Sequence, residues 1–126
     1  MGALTSLGLS VQESWEGMVA GRSGIAPITQ FDASDLPVRI AGEVKGFDVT
    51  QYMDAREARR MARCAHLALA AGIQAMADAG LGDQVPNPER AGVVMGTGIG
   101  GFDAGLEGWD TYKAKGLRRG NPLTAP

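Results

Sequence analysis

Three groups of residues in this chain could carry chemistry: a glycine-rich turn, a cysteine–histidine pair and a cluster of arginines. Residues 90–101 read RAGVVMGTGIGG, an apolar run at 91–95 followed by a turn in which four of six residues are Gly. Glycines at the end of a buried strand free the backbone to turn sharply and let a ligand approach it closely. The spacing Gly96-x-Gly98-x-x-Gly101 also matches a dinucleotide-binding loop. That loop needs an acidic residue about 20 positions on, at the end of a second strand, to hold a ribose. No such acid follows, and no Gly-Lys-Ser/Thr is present, which excludes a P-loop. A purely structural tight turn is the alternative reading.

Cys64 and His66 lie two apart in a helical segment. That separation puts their side chains about 200° apart around the axis. They cannot form the hydrogen bond that an activated thiol needs. Cys64 is expected as a small core residue and His66 as a half-exposed one. The lone His argues against a Ser-His-Asp set and against a protein-built zinc site, and the lone Cys excludes an intrachain disulfide. No metal or cofactor is expected, and a reducing cytoplasm suits this cysteine usage.

Arg56, Arg59, Arg60 and Arg63 stack at helical spacing. Like charges three or four apart cost a few tenths of a kcal/mol each. They also fall at the positive end of the helix dipole, where acids are preferred. Residues 56–63 carry a net charge of +3 and residues 113–126 of +4, whereas the whole chain is at −2. Arg118 and Arg119 belong to the second basic island. A solvated face is the bland reading. A face that breaks two local rules is better explained by an anionic partner met at a defined place. Nucleic acid fits poorly, because the chain is acidic overall and no aromatic platform flanks the arginines.

The elements that position these groups follow from periodicity. Ser10 and Glu13 form a capping box for a helix to about Ala20, with Val11, Trp15, Met18 and Val19 as its apolar stripe and Gly21 as its stop. Residues 22–36 read as irregular, and 37–44 as a strand with Val38 and Ile40 on one face. Residues 56–79 read as one long helix closed by Gly80. Its inner side carries Met61, Ala65, Ala68, Leu69, Gly72, Ala75 and Met76, and its outer side Ala70, Gln74 and Asp78 with the arginines. A loop with Pro86 and Pro88, the strand at 91–95, the glycine turn and a helix at 102–115 complete the order. Strands separated by helices point to an α/β layered fold. Two strands make a poor sheet, so the chain reads as a piece of a larger domain with exposed edges and poor solubility in isolation. No run of 18 apolar residues suggests a transmembrane helix, and no signal peptide is apparent.

Four runs taken together resemble a known family: SWEGMVAGRSGIAPITQFDASDLPVRIAGEVKGFD, REARRMARCAHLALAAGIQAMADAGL, RAGVVMGTGIGG and RRGNPLTAP. In order, and over essentially the whole chain, they are similar to the N-terminal part of the elongating β-ketoacyl-acyl carrier protein synthases. The resemblance implies an α/β, thiolase-like αβαβα layered fold, of which residues 1–126 would be a partial N-terminal half lacking the first strand and the C-terminal portion. It implies a cytoplasmic homodimer of fatty acid biosynthesis that condenses an acyl-enzyme with malonyl-acyl carrier protein by a decarboxylative Claisen reaction. A polyketide-type ketosynthase and a non-catalytic, chain-length-factor-like partner are the alternatives. The family's catalytic Cys and two His would lie beyond Pro126, so the chain alone is expected to be inactive, as a fragment or part of a split reading frame. By resemblance, Gly98, Ile99 and Gly100 match the gate of the acyl pocket. Arg56, Arg59, Arg60, Arg118 and Arg119 match positions that dock the acidic acyl carrier protein. Leu123 matches a position near the dimer-side pocket. Neither nucleic acid nor membrane is an expected partner.

Overall fold

Small and polar side chains, not the apolar stripes, make the packed faces of this protein. The computed structural model describes residues 1–82 and 85–116. Its elements run α1 (Val11–Val19), β1 (Ala26–Pro27), β2 (Ile40–Ala41), a 3₁₀ turn (Val49–Gln51), α2 (Ala55–Ala58), α3 (Arg63–Asp78), a second 3₁₀ turn (Pro88–Arg90) and α4 (Phe102–Lys115). The backbone divides into two compact units. Of the described residues, one comprises Met1–Asp48 with those from Ala70 to Pro86, and the other comprises Val49–Leu69 with those from Asn87 to Gly116.

In the first unit α1 begins as its sequence predicts. The Ser10 hydroxyl accepts from the Glu13 N–H at 3.1 Å, and the Glu13 carboxylate reaches back one residue further than in the usual box, to the Leu9 N–H at 2.6 Å. It ends on Gly21, at φ 65°, with the Arg22 N–H on the Gly17 carbonyl and the Gly21 N–H on the Met18 carbonyl. These are the paired bonds of a Schellman motif. The end of α3 repeats them, with Gly80 and Leu81 donating to Ala77 and Met76.

Which faces are buried departs from expectation. In α1 the buried residues are Ser14 and Gly17, while Trp15, Met18 and Val19 stand exposed. In α3 the buried residue is Ala70, from the side read as outward, while Leu69 and Ile73 are exposed, as is Met61 just before the helix. The N-terminal turn accounts for both inversions. Ser14 shares a hydrogen bond with Thr5 at 2.8 Å. Gln74 clamps the same turn from α3: its Oε1 accepts from the Ala3 N–H at 3.2 Å and its Nε2 donates to the Leu9 carbonyl at 2.7 Å. Gly2 lies so close to α3 that a Cβ there would sit 1.9 Å from the Ala71 carbonyl oxygen. Backbone approach of that kind selects small residues on the contact face and leaves the bulky stripe for a different neighbour.

The strands are also shorter than expected. β1 and β2 pair antiparallel, Ala26 with Ala41 and Pro27 with Ile40, as a two-stranded sheet. The predicted strand at 37–44 is thus reduced to two residues, and its partner lies in the stretch read as irregular. The hairpin is held by Glu43, which is buried and accepts from the Thr29 N–H, the Thr29 hydroxyl at 2.7 Å and the Gln30 N–H at 3.2 Å. These donors, the Thr29 hydroxyl foremost, hold the Glu43 carboxyl below its ordinary pKa. Residues 91–97 form no strand, and Val93 and Val94 are 87% and 96% exposed. An apolar strand needs neighbours for its ladder and its faces, and the described residues offer none. By contrast α4 occupies the predicted 102–115.

Because the Glu43 pKa is lowered on folding, its contribution is present above the ordinary glutamate range and is lost as pH falls through the lowered value. Thermal unfolding from pH 7 to pH 3 should therefore show a loss of Tm on acidification that is smaller in Glu43→Gln. Parallel pH profiles for parent and variant would show that Glu43 does not hold the hairpin.

Candidate functional site

The arginine cluster sits on an interrupted helix rather than a continuous one. Residues 49–53 turn on the Val49 carbonyl, which accepts from Tyr52 and Met53. Asp54 then caps α2, its carboxylate accepting from the Arg56 N–H at 2.7 Å. The single turn Ala55–Ala58 follows, and the chain breaks before α3 starts at Arg63. The break falls among Arg59 and Arg60, where one helix would crowd like charges most. One turn cannot sustain itself in water, so tertiary contacts must hold α2. Ala58 supplies one, being only 5% exposed. Its carbonyl supplies another, accepting from the Met61 N–H at 3.1 Å and lying 2.8 Å from the His66 ring Nε2.

Arg56, Arg59 and Arg60 are exposed, and their guanidinium groups make no hydrogen bond or ion pair among the described residues. Arg63 is half-buried and engaged. An open cleft of about 700 Å³ lies in this unit. Arg59, Arg60, Arg63 and His66 line it from the α2–α3 side, and Asp103, Glu107 and Thr111 from α4. The small residues Ala58, Ala62, Ala104 and Gly108 also line it. On α4, Trp109 and Tyr112 meet at 5.6 Å and Lys113 sits 5.4 Å from the Trp109 ring.

The glycine turn is open. Thr97 Oγ1 accepts from the Gly100 N–H at 3.1 Å, and Gly101, at φ 76°, is the N-cap of α4. Around Gly96 and Gly98 a Cβ would meet nothing within 4 Å. The close approach expected at those glycines therefore has no counterpart among the described residues. Gly98 and Gly100 are exposed, and Ile99 projects with 76% of its surface open. Cys64, expected in the core, is exposed. His66 is half-buried as expected, but its contact with Ala58 was not legible, because the periodicity treated 56–79 as one helix. Arg118, Arg119 and Leu123 lie outside the described residues. Among the described residues no group of three His, Cys, Asp or Glu could hold a metal ion, and no helix is long and apolar enough to cross a membrane.

Comparison with known proteins decides the family. A family profile described as "Beta-ketoacyl synthase, N-terminal domain" matches residues 1–125. The chain belongs to the β-ketoacyl synthase family. Among curated β-ketoacyl synthase relatives it is 46% identical to "3-oxoacyl-[acyl-carrier-protein] synthase 2" of Synechocystis sp., over all of this chain and 30% of the relative. It is 42% identical to the protein of that name from Vibrio cholerae, again over all of this chain and 30% of the relative. Against the chloroplastic synthase I of Hordeum vulgare identity is 35%, with 28% of the relative covered. The chain therefore spans about 30% of the length of the curated relatives it matches. A solved structure described as "The ishigamide ketosynthase/chain length factor" superimposes with a TM-score of 0.73 at 30% identity, over 98% of this chain and 31% of that one. The fold is accordingly the N-terminal part of a thiolase-like ketosynthase fold. The backbone path of the family is thus present even where the strand ladder at 91–97 is not.

Proposed function

We propose that this chain is the carrier-docking and pocket-wall segment of a 3-oxoacyl-[acyl-carrier-protein] synthase of fatty acid biosynthesis, acting in a cytoplasmic homodimer. The observation that carries the reading is the set of three exposed guanidinium groups of Arg56, Arg59 and Arg60, without partners among the described residues, on the one-turn helix α2 and the turn that follows it. An acidic carrier protein supplies the negative charge that this face lacks, and charge complementarity of this kind governs encounter and register more than bulk affinity. The names of the Synechocystis and Vibrio relatives support an acyl carrier protein as that partner. Arg118 and Arg119 extend the docking charge, and Leu123 belongs to the dimer-side pocket.

In the reaction, an acyl group passes from carrier to a Cys thiolate. The malonyl group of a second carrier then loses CO₂, and the resulting carbanion displaces the thiolate to give the 3-oxoacyl product. Cys64 and His66 take no part in it. Cys64 is exposed, and the His66 ring is bonded to a backbone carbonyl. The chain contributes instead Gly98, Ile99 and Gly100 as the gate of the acyl pocket, with Ile99 the side chain that projects. The ketosynthase/chain length factor neighbour favours a second reading, in which the segment belongs to a non-catalytic partner of a polyketide-type synthase.

Both roles are testable in a chimera in which this chain replaces the matching 30% of the Synechocystis synthase. Reversing Arg56, Arg59 and Arg60 to Glu should raise KM for acyl-carrier protein about tenfold or more, roughly 1.4 kcal/mol. Activity on a small acyl thioester should hardly change. Equal losses on both substrates would refute the docking role. In the same chimera Ile99→Phe should shorten the longest acyl chain accepted, measured from the product distribution. An unchanged distribution would remove Ile99 from the gate.

A further inference from the structure

The same arginine face depends on a contact that its sequence does not announce. α2 is a single turn, and the residues that carry its exposed charge, Arg59 and Arg60, lie just past its last helical residue, Ala58. The Ala58 carbonyl is where the chain could fray. It accepts two bonds, one from the Met61 N–H at 3.1 Å that closes the turn, and one from the His66 ring Nε2 at 2.8 Å across eight residues. A carbonyl oxygen only accepts, so His66 Nε2 must carry the proton. Both the neutral ring in that tautomer and the imidazolium can donate this bond.

We propose that His66 is a positioning residue that latches the end of α2 to the first turn of α3 and so fixes the direction in which Arg59 and Arg60 are presented. Without the latch, two long side chains and the turn between them must be ordered by the partner, and that entropy comes out of the binding free energy. The latch also explains why a His sits beside three arginines. Its ring is committed to a helix carbonyl, a favourable place for an imidazole N–H even with Arg59, Arg60 and Arg63 around the same cleft and Asp103 and Glu107 on its α4 wall.

The inference rests on the docking reading for its functional consequence, and the experiment separates the two. The 126-residue chain, its His66→Ala and His66→Gln variants, and an Arg56/Arg59/Arg60→Glu variant are titrated with purified holo-acyl carrier protein at low and high salt. Amide hydrogen exchange is followed in the same proteins without the carrier. His66→Gln keeps an N–H donor on a side chain of similar reach and should bind within about twofold of the parent. His66→Ala should bind about five- to tenfold more weakly at low salt, with the difference closing at high salt, where the arginines are screened. Exchange at Arg59, Arg60 and Met61 should rise in His66→Ala, return in His66→Gln, and leave α1 unchanged.

Equal binding by His66→Ala and the parent, or equal loss in both His66 variants, would overturn the latch. So would faster exchange spread through α1, which would make His66 a general support of the fold. Undiminished binding by the Arg→Glu variant would instead overturn the docking reading. In that case the local exchange pattern alone still decides for or against the latch.

Discussion

A bulky apolar face lowers the free energy of folding only when something covers it, and that constraint organises this structure. Burying a Val, Ile or Met side chain is worth roughly 1.5–3 kcal/mol. Yet among the described residues the buried positions are Ser14, Gly17, Ala33, Glu43, Ala58 and Ala70. What holds the described residues together is instead a set of directed polar contacts. Gln74 and Ser14 fasten the N-terminal turn, Glu43 fastens the hairpin, and His66 fastens α2. Each satisfies backbone or hydroxyl groups that would otherwise be costly to bury. The segments they join range from 8 residues apart, at His66 and Ala58, to 71, at Gln74 and Ala3. The stripes of α1 and α3 and the run at 91–95 keep their apolar character without a described neighbour to bury it.

The arginine face obeys the same logic with charge in place of apolar area. Four arginines in eight residues would strain a continuous helix. The chain breaks the helix there, caps the short piece with Asp54 and ties its end to α3 through His66. The result is an exposed cationic surface on a supported turn, which is how charge is presented to a partner with the least ordering left to do.

Much of this was legible in the sequence, and the exceptions share a cause. Helix ends were readable because caps are local. Ser10 with Glu13, Gly21 and Gly80 all act where their residue types predict. The α4 span was also readable, although no side-chain cap marks its start. The family was readable because its motifs recur in order along the chain, and the profile match over residues 1–125 agrees. Burial was not readable, because periodicity shows which face is apolar but not whether a neighbour exists to cover it. Ala70 and Gln74 therefore pack where Leu69 and Ile73 do not. The strand at 91–95 failed likewise, since a ladder depends on partners elsewhere. His66 was passed over because one assumed helix hid the break that brings its ring to the Ala58 carbonyl.

The central claim is that the turn carrying Arg56, Arg59 and Arg60 is the surface that meets an acyl carrier protein. The most direct measurement is an NMR footprint of the isotope-labelled chain titrated with unlabelled holo-acyl carrier protein. The account predicts that amide shifts concentrate between Asp54 and Arg63, fade as salt is raised, and spare the Glu43 hairpin. Shifts centred on the hairpin, or none at low salt, would contradict it.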